Sequence, residues 1–258
     1  MILYKYHRLN LSRFLLRSPS VRFTRIDELN DPFEAAALKY DGSKNHDWNL
    51  MTLSQCYGAL SLSRNPLNSL MWSHYAYGHK FSNRNFISLD INNHAHAGMV
   101  IGIDVNEAGL NDESKNVLPA KFGSVIYTKT RPFHHYLKSD NYQFFEGGAH
   151  RFEYENLETM QRVFLMKAQE WSYEEEVRVI RNTGRTKKSF IESIERAAVK
   201  EIYFGMRNSY HKEYVELVIN KTKKYFPDAK VYFCRLKDDS WGLERVDVHS
   251  HIISINNQ

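Results

Sequence analysis

The sequence predicts an α+β fold in which a mixed, largely antiparallel sheet is flanked by helices. Segments with strand-like alternation and segments with helical spacing follow one another without the regular strand–helix rhythm of a doubly wound sheet. The 258 residues are 42% hydrophobic, which is enough to bury a sizeable core. Since no repeat or clear linker divides the sequence, we expect one domain over residues 1–258.

The strand predictions rest on alternation and on runs of β-branched or aromatic residues. Ile2–His7 alternates in this way and is the first of them. The predicted strands are residues 2–7, 21–24, 60–63, 98–104, 124–127, 171–180, 199–205 and 231–234.

The helix predictions rest on apolar residues at helical spacing and on capping residues. Asn30 and Asp31 before Pro32 are typical of a helix start. The predicted helices are residues 9–16, one that begins at 30–34, 67–75, most of 132–168, 190–199 and 211–225. The polar stretch 79–95 is expected to be an inserted loop.

Composition argues against several classes of protein. No apolar run is long enough to span a membrane, and the first residues lack the pattern of a signal peptide. The two cysteines form no CxxC motif, and the His94-x-His96 pair lacks partners at ligand spacing. We therefore expect a cytoplasmic protein without a metal site.

The segment from Trp171 to Ile180 is the most informative one. It is predicted to enter a β-strand in which Glu174, Glu176 and Arg178 share one face, with the carboxylates about 7 Å apart. Two close carboxylates require a cation, a proton or a sugar hydroxyl nearby, and a developing oxocarbenium ion would meet that need. The alternative is an exposed edge strand with solvated ion pairs.

The segment from Met71 to Ala76 also carries chemistry. Met71, His74 and Tyr75 would share one helical face, and His and Tyr are common partners of a bound heteroaromatic ring. The alternative is a core helix with a satisfied histidine. Trp72 is expected in the core, as are Trp171 and Phe33.

The net charge of +5 is concentrated in one segment. Residues 185–224 contain ten basic and five acidic residues, an excess equal to that of the whole chain. Such a segment can attract nucleic acid, although a lysine-rich solvated helix face is the simpler interpretation.

The sequence resembles the bacterial DUF2971 family in motifs that keep their order along nearly the whole chain. They are residues 3–6, 30–34, 71–76 and 96–98, Lys167, Trp171-x-x-Glu174-x-Glu176-x-Arg178, and Glu201-Ile202-x-x-Gly205. Two departures are His7 where Arg is usual and the insertion before His96. The resemblance implies no particular reaction.

The order of the pieces also resembles the ADP-ribosyltransferase superfamily. This resemblance implies an ADP-ribosyltransferase-like fold and NAD as substrate, with a protein, nucleic acid or water as acceptor. The implied catalytic residues are Glu176, Glu174, Tyr75 and His74. The implied NAD-binding residues are His7, Arg8, Ser61, Ser63, Trp72, His96 and Arg178.

In this interpretation Glu176 stabilises the oxocarbenium-like ribose of an ADP-ribosyltransferase or NAD glycohydrolase, and the ring of Tyr75 holds nicotinamide. One alternative is a nucleic-acid-binding protein or a metal-dependent nuclease that uses Glu174, Glu176 and Arg178 together with residues 185–224. The other is a non-catalytic interaction module. A role in toxicity, phage defence or metabolism is left open.

Overall fold

The chain divides into two compact units. Unit 1 consists of Met1–Pro19, Ser63–Glu107 and Ile194–Gln258, and unit 2 consists of Ser20–Leu62 and Ala108–Ser193. This computed structural model describes residues 1–8, 19–31, 33, 52–78, 94–130, 147–184, 189–208 and 212–248. The single domain over 1–258 stays a prediction. The predicted helix 9–16 and all but residues 94 and 95 of the predicted insertion lie outside the described residues.

The described residues form strands and short helices in an α+β arrangement. The strands are β1 (Ile2–His7), β2 (Ser20–Arg25), β3 (Tyr57–Ser63), β4 (Met99–Asp104), β5 (Ile126–Thr128), β6 (Met166–Ala168), β7 (Glu176–Asn182), β8 (Ser189–Ser193), β9 (Val199–Phe204), β10 (Lys230–Leu236) and β11 (Leu243–Asp247). The α-helices are α1 (residues 52–56), α2 (Ser69–Tyr75), α3 (Leu157–Met160) and α4 (Lys212–Tyr225).

Shorter helical turns connect these elements. A π-helical turn, Gln161–Leu165, continues α3. The 3₁₀ turns are Ile26–Glu28, Ala120–Phe122, Tyr154–Asn156, Gln169–Glu174, Arg196–Ala198 and Met206–Asn208. No helix among the described residues is long and apolar enough to cross a membrane.

Unit 1 contains a mixed sheet in the order β11-β10-β9-β4-β1. The β9–β10 pair is parallel, and the other three pairs are antiparallel. The predicted mixed, largely antiparallel sheet is therefore confirmed within this unit. Five of the six residues of β4 are buried, which explains its nearly continuous apolar sequence.

Helix α2 of unit 1 begins at a residue that favours helix starts. Asn68 is its N-cap, and the Asn68 side chain accepts a hydrogen bond from Met71 N at 3.1 Å. Trp72 is 0% exposed, and its indole nitrogen donates to Pro66 O at 2.8 Å. The core prediction for Trp72 is thus confirmed.

In unit 2, β2 pairs antiparallel with both β3 and β8, and β7 pairs with β3. Strands β5 and β6 form a separate parallel pair. The core of this unit is a cluster of buried residues from the 3₁₀ turn Ile26–Glu28, α1, β3, the 117–125 segment, α3 with its π turn, and β7. Its members are Ile26, Leu53, Cys56, Tyr57, Ala59, Val117, Leu118, Val125, Met160, Val163, Phe164, Leu165 and Ile180.

Several sequence predictions are wrong. Residues 190–199 form β8, a 3₁₀ turn and the start of β9 instead of a helix, because Phe190 and its neighbours pair with β2. Of the predicted helix 132–168, residues 147–153 are not helical and Met166–Ala168 is β6, whereas 131–146 lie outside the described residues. Phe33 is 62% exposed and is not a core residue.

Candidate functional site

The segment that carries Glu174 and Glu176 is not a continuous strand. Gln169–Glu174 is a 3₁₀ turn, Glu175 has left-handed backbone angles (φ 45°, ψ 46°), and β7 begins only at Glu176. The prediction that Glu174 lies on the same strand face as Glu176 is therefore wrong. The turn nevertheless directs both carboxylates to one lysine.

That lysine is Lys167, in β6. Its Nζ donates to Glu174 Oε2 at 2.6 Å and to Glu176 Oε2 at 3.0 Å. Arg178 contacts both oxygens of Glu176, with Nε 2.8 Å from Oε1 and Nη2 3.0 Å from Oε2. We call these four side chains the charge cluster. It contains two cations and two carboxylates and is neutral overall.

The charge cluster is buried within unit 2. Glu174 and Glu176 are each 4% exposed, and Arg178 is 2% exposed. Burying a charge is costly unless it is paired and hydrogen-bonded, and all four groups meet that condition.

Electrostatics keep the charge cluster ionised. Burial by itself would raise the pKa of Glu176, but Arg178, Lys167 and a hydrogen bond from the Ser61 hydroxyl hold it well below its usual range. Burial opposes the charge on Lys167, yet the carboxylates of Glu176 and Glu174 raise its pKa. Glu176 is consequently a carboxylate, not a carboxylic acid, near neutral pH.

Backbone groups around the charge cluster fix its geometry. Arg178 Nη1 donates to Phe164 O at 2.7 Å, and Glu176 N donates to the Tyr127 hydroxyl at 2.9 Å. Burial and the neighbouring Glu176 raise the pKa of Tyr127 to about 12, so it stays neutral. A Cβ at Gly123 would lie 1.9 Å from Arg178 O, which explains the glycine there.

Two aromatic side chains lie next to the charge cluster. Lys167 Nζ is 5.0 Å from the ring centre of Trp171, a cation–π distance. The rings of Trp171 and Tyr173 are 6.1 Å apart. Trp171 is only half-buried, so the prediction that it is a core residue is wrong.

Of the predicted site residues, Ser61, Glu174, Glu176 and Arg178 come together in unit 2. Strand β3, which carries Ser61, is a hydrogen-bonded neighbour of β7. Arg178 binds Glu176 and a backbone carbonyl, and its predicted role in NAD binding stays a prediction. Sequence reasoning did not assign roles to Lys167 and Tyr127. A lone lysine in the short, mostly apolar run 163–168 was the available signal.

The remaining predicted site residues belong to unit 1. They are His7, Arg8, Ser63, Trp72, His74, Tyr75 and His96. Their predicted roles stay predictions.

Some of these unit 1 side chains have defined environments. Burial, together with Lys5, lowers the pKa of His7 to about 3, so its imidazole is neutral near neutral pH. Ser63 Oγ accepts a hydrogen bond from Asn65 N at 3.1 Å within a turn. The Arg8 guanidinium carbon lies 5.6 Å from the Tyr77 ring centre.

The three residues of the predicted face of helix α2 differ in burial. Met71 is buried, His74 is exposed and Tyr75 is half-buried, so these residues do not share one environment. The His74 and Tyr75 rings are 6.3 Å apart. The described residues include no group of three or more His, Cys, Asp or Glu side chains that could hold a metal ion.

Comparison with known proteins gives one match. The family model described as "Protein of unknown function (DUF2971)" matches residues 71–179. The DUF2971 match, which confirms the resemblance predicted from the sequence, includes His96 and the whole charge cluster. No curated protein and no solved structure matches the chain.

Proposed function

We propose that this protein cleaves the bond between nicotinamide and ribose in NAD and transfers the ADP-ribose to an acceptor or to water. Glu176 is the proposed catalytic residue. The observation that supports this proposal is a buried carboxylate that is kept ionised by Arg178 and Lys167 and receives a hydrogen bond from Ser61.

The chemistry requires a fixed negative charge. As the bond to nicotinamide breaks, the ribose acquires oxocarbenium character, and a carboxylate that binds a ribose hydroxyl stabilises that state more than the ground state. Because Arg178 holds Glu176 through both oxygens, little reorganisation is needed when the charge develops.

Lys167 provides a way for the substrate to reach Glu176. Its Nζ is closer to Glu174 Oε2 (2.6 Å) than to Glu176 Oε2 (3.0 Å). In the proposed reaction Lys167 stays on Glu174 while a ribose hydroxyl takes its place on Glu176. Glu174 then keeps the lysine charge paired during turnover.

The test is nicotinamide release from NAD by the purified full-length protein, with and without a desalted cell extract as a source of acceptors. We expect Glu176→Gln to lower the rate by about 10²–10³-fold, since the neutral amide cannot stabilise the developing charge. Equal rates in variant and wild type would exclude Glu176 as the catalytic residue, and the absence of release by the wild type under both conditions would reject the NAD proposal.

A matched control is required because Glu176→Gln leaves Lys167 and Arg178 with too little negative charge and should itself destabilise the protein. Arg181 is a buried charged residue on the same strand, where its Nε donates to Asn116 Oδ1 at 2.7 Å. Arg181→Gln should be destabilised but active when both variants are assayed below their melting temperatures. Cleavage of nucleic acid with Mg²⁺, without nicotinamide release, would favour the nuclease alternative.

A further inference from the structure

Strand β8 lies at the edge of the unit 2 sheet. Among the described residues it pairs only with β2, in an antiparallel ladder that places Ile191 opposite Arg22 and Ser193 opposite Ser20. The outer side of an edge strand presents a row of backbone N–H and C=O groups to which another strand can bind. The outer side of β8 is therefore a surface for strand addition.

The side chains of β8 do not protect this edge. Strand β11, at the edge of the unit 1 sheet, carries three charged residues among five, which is a common protection against unwanted pairing. In β8 the one charged residue is Glu192, and its carboxylate lies 3.2 Å from Arg181 Nη1. Ile191 is apolar and β-branched, yet its side chain is 65% exposed. An edge of this kind is expected to pair with another strand.

A hydrogen bond at the end of β8 shows which of its backbone groups point outward. Ile194 directly follows β8, and its N–H donates at 2.9 Å to the carbonyl of Pro19, which directly precedes β2. In an antiparallel pair, residues whose N–H and C=O face the partner strand alternate with residues whose groups face away from it. The backbone groups of residues 189, 191 and 193 therefore point away from β2.

Two copies of β8 match each other in one antiparallel register. With Ile191 opposite Ile191 of the second copy, residue 189 of each copy lies opposite residue 193 of the other. All three outward-facing residues are then paired, which gives about six backbone hydrogen bonds, and the two exposed isoleucine side chains cover each other. Other registers pair fewer of these residues, and the register centred on Glu192 would place two like charges opposite each other.

We infer that β8 is a dimerisation surface that joins two copies of this chain, with Ile191 at the two-fold axis. The same strand is used by both copies, so the contact closes at a dimer and does not continue into a filament. The inference concerns the edge of the unit 2 sheet and does not depend on NAD cleavage at Glu176.

The first test is the molecular mass of the full-length protein, measured by light scattering as its concentration is raised. We expect the mass to rise from the 30.4 kDa of one chain toward twice that value. Ile191→Lys adds an edge charge at an exposed position and should stay monomeric with an unchanged circular dichroism spectrum. The matched control is Ile126→Lys, at an isoleucine of β5 that is 40% exposed, and it should dimerise like the wild type.

Cysteine cross-linking tests the register. In Ile191→Cys the two Cα atoms at the axis would be about 5.5 Å apart, which is within the range of a disulfide. In Ser193→Cys they would be about 13 Å apart, since four residues along the strand separate them. The native Cys56 and Cys234 are buried, so mild oxidation should give a covalent dimer from Ile191→Cys and not from Ser193→Cys.

Three results would overturn the inference. One is a wild-type protein that stays monomeric at every concentration, which would leave the edge open or assign it to a strand of a different protein. The others are a dimer of Ile191→Lys as stable as that of the wild type, and equal cross-linking of Ile191→Cys and Ser193→Cys.

Discussion

Replacement of Lys167 by methionine should strongly destabilise the protein. The Lys167 side chain is 5% exposed, and its Nζ contacts Glu174 Oε2 at 2.6 Å and Glu176 Oε2 at 3.0 Å. Methionine preserves much of the volume but leaves two buried carboxylates with only Arg178 as a cation. Breaking a buried pair in this way costs about 3–5 kcal/mol. For a chain of this size, that loss lowers the melting temperature by roughly 6–20 °C.

The control and a compensating variant isolate the electrostatic cause. Lys121 pairs with Glu113 at 2.5 Å, but its side chain is 44% exposed, so Lys121→Met should cost about 0–1 kcal/mol. The double variant Lys167→Met/Glu174→Gln leaves only the Glu176–Arg178 pair and should recover much of the lost stability. Urea unfolding and calorimetry measure all three. A loss in Lys167→Met no larger than in Lys121→Met, or no recovery in the double variant, would refute the reasoning.

Two further predictions concern stability. Trp72→Ala should lower the free energy of unfolding by about 3–5 kcal/mol because the ring is fully buried, whereas Trp171→Ala should cost less; calorimetry that gave the reverse order would contradict the burial described here. The pKa of Glu176 is lower in the folded than in the unfolded state, so the stability it contributes is present above pH ~4.3 and is lost as pH falls below that value. Because the pKa of His7 is lowered to about 3, protonation of the unfolded state should begin to reduce stability already below pH ~6.5. When the free energy of unfolding is measured with urea from pH 7 to pH 3, His7→Gln should lack the loss of stability that begins below pH ~6.5, and Glu176→Gln should lack the loss below pH ~4.3. Identical pH profiles for both variants and the wild type would rule out these assignments.

Strands with strong alternation could be predicted from sequence nearly to the residue. β1 has the predicted bounds, because the alternation over Ile2–His7 is a local signal that the sequence shows directly. Helix α4 was similarly clear from its spacing. β8 was not, since its pairing with β2 is long-range and outweighs the helical spacing of its apolar residues.

The candidate site could be predicted in part. Sequence pointed to Glu174, Glu176 and Arg178, but it placed them on one strand face. The left-handed residue Glu175 changes that geometry, and glutamate is not a residue type that indicates such a conformation. The pairing of Lys167 with both carboxylates depends on a turn that periodicity does not reveal.

The position of the charge cluster along the chain has a consequence for folding. All four of its side chains lie within residues 167–178, so their mutual ion pairs close only a short loop. Short loops close at low entropic cost and fast, whereas the β9–β4 pairing of unit 1 joins residues about a hundred positions apart. Forming the ion pairs of the charge cluster therefore costs less chain entropy than forming the β9–β4 pairing.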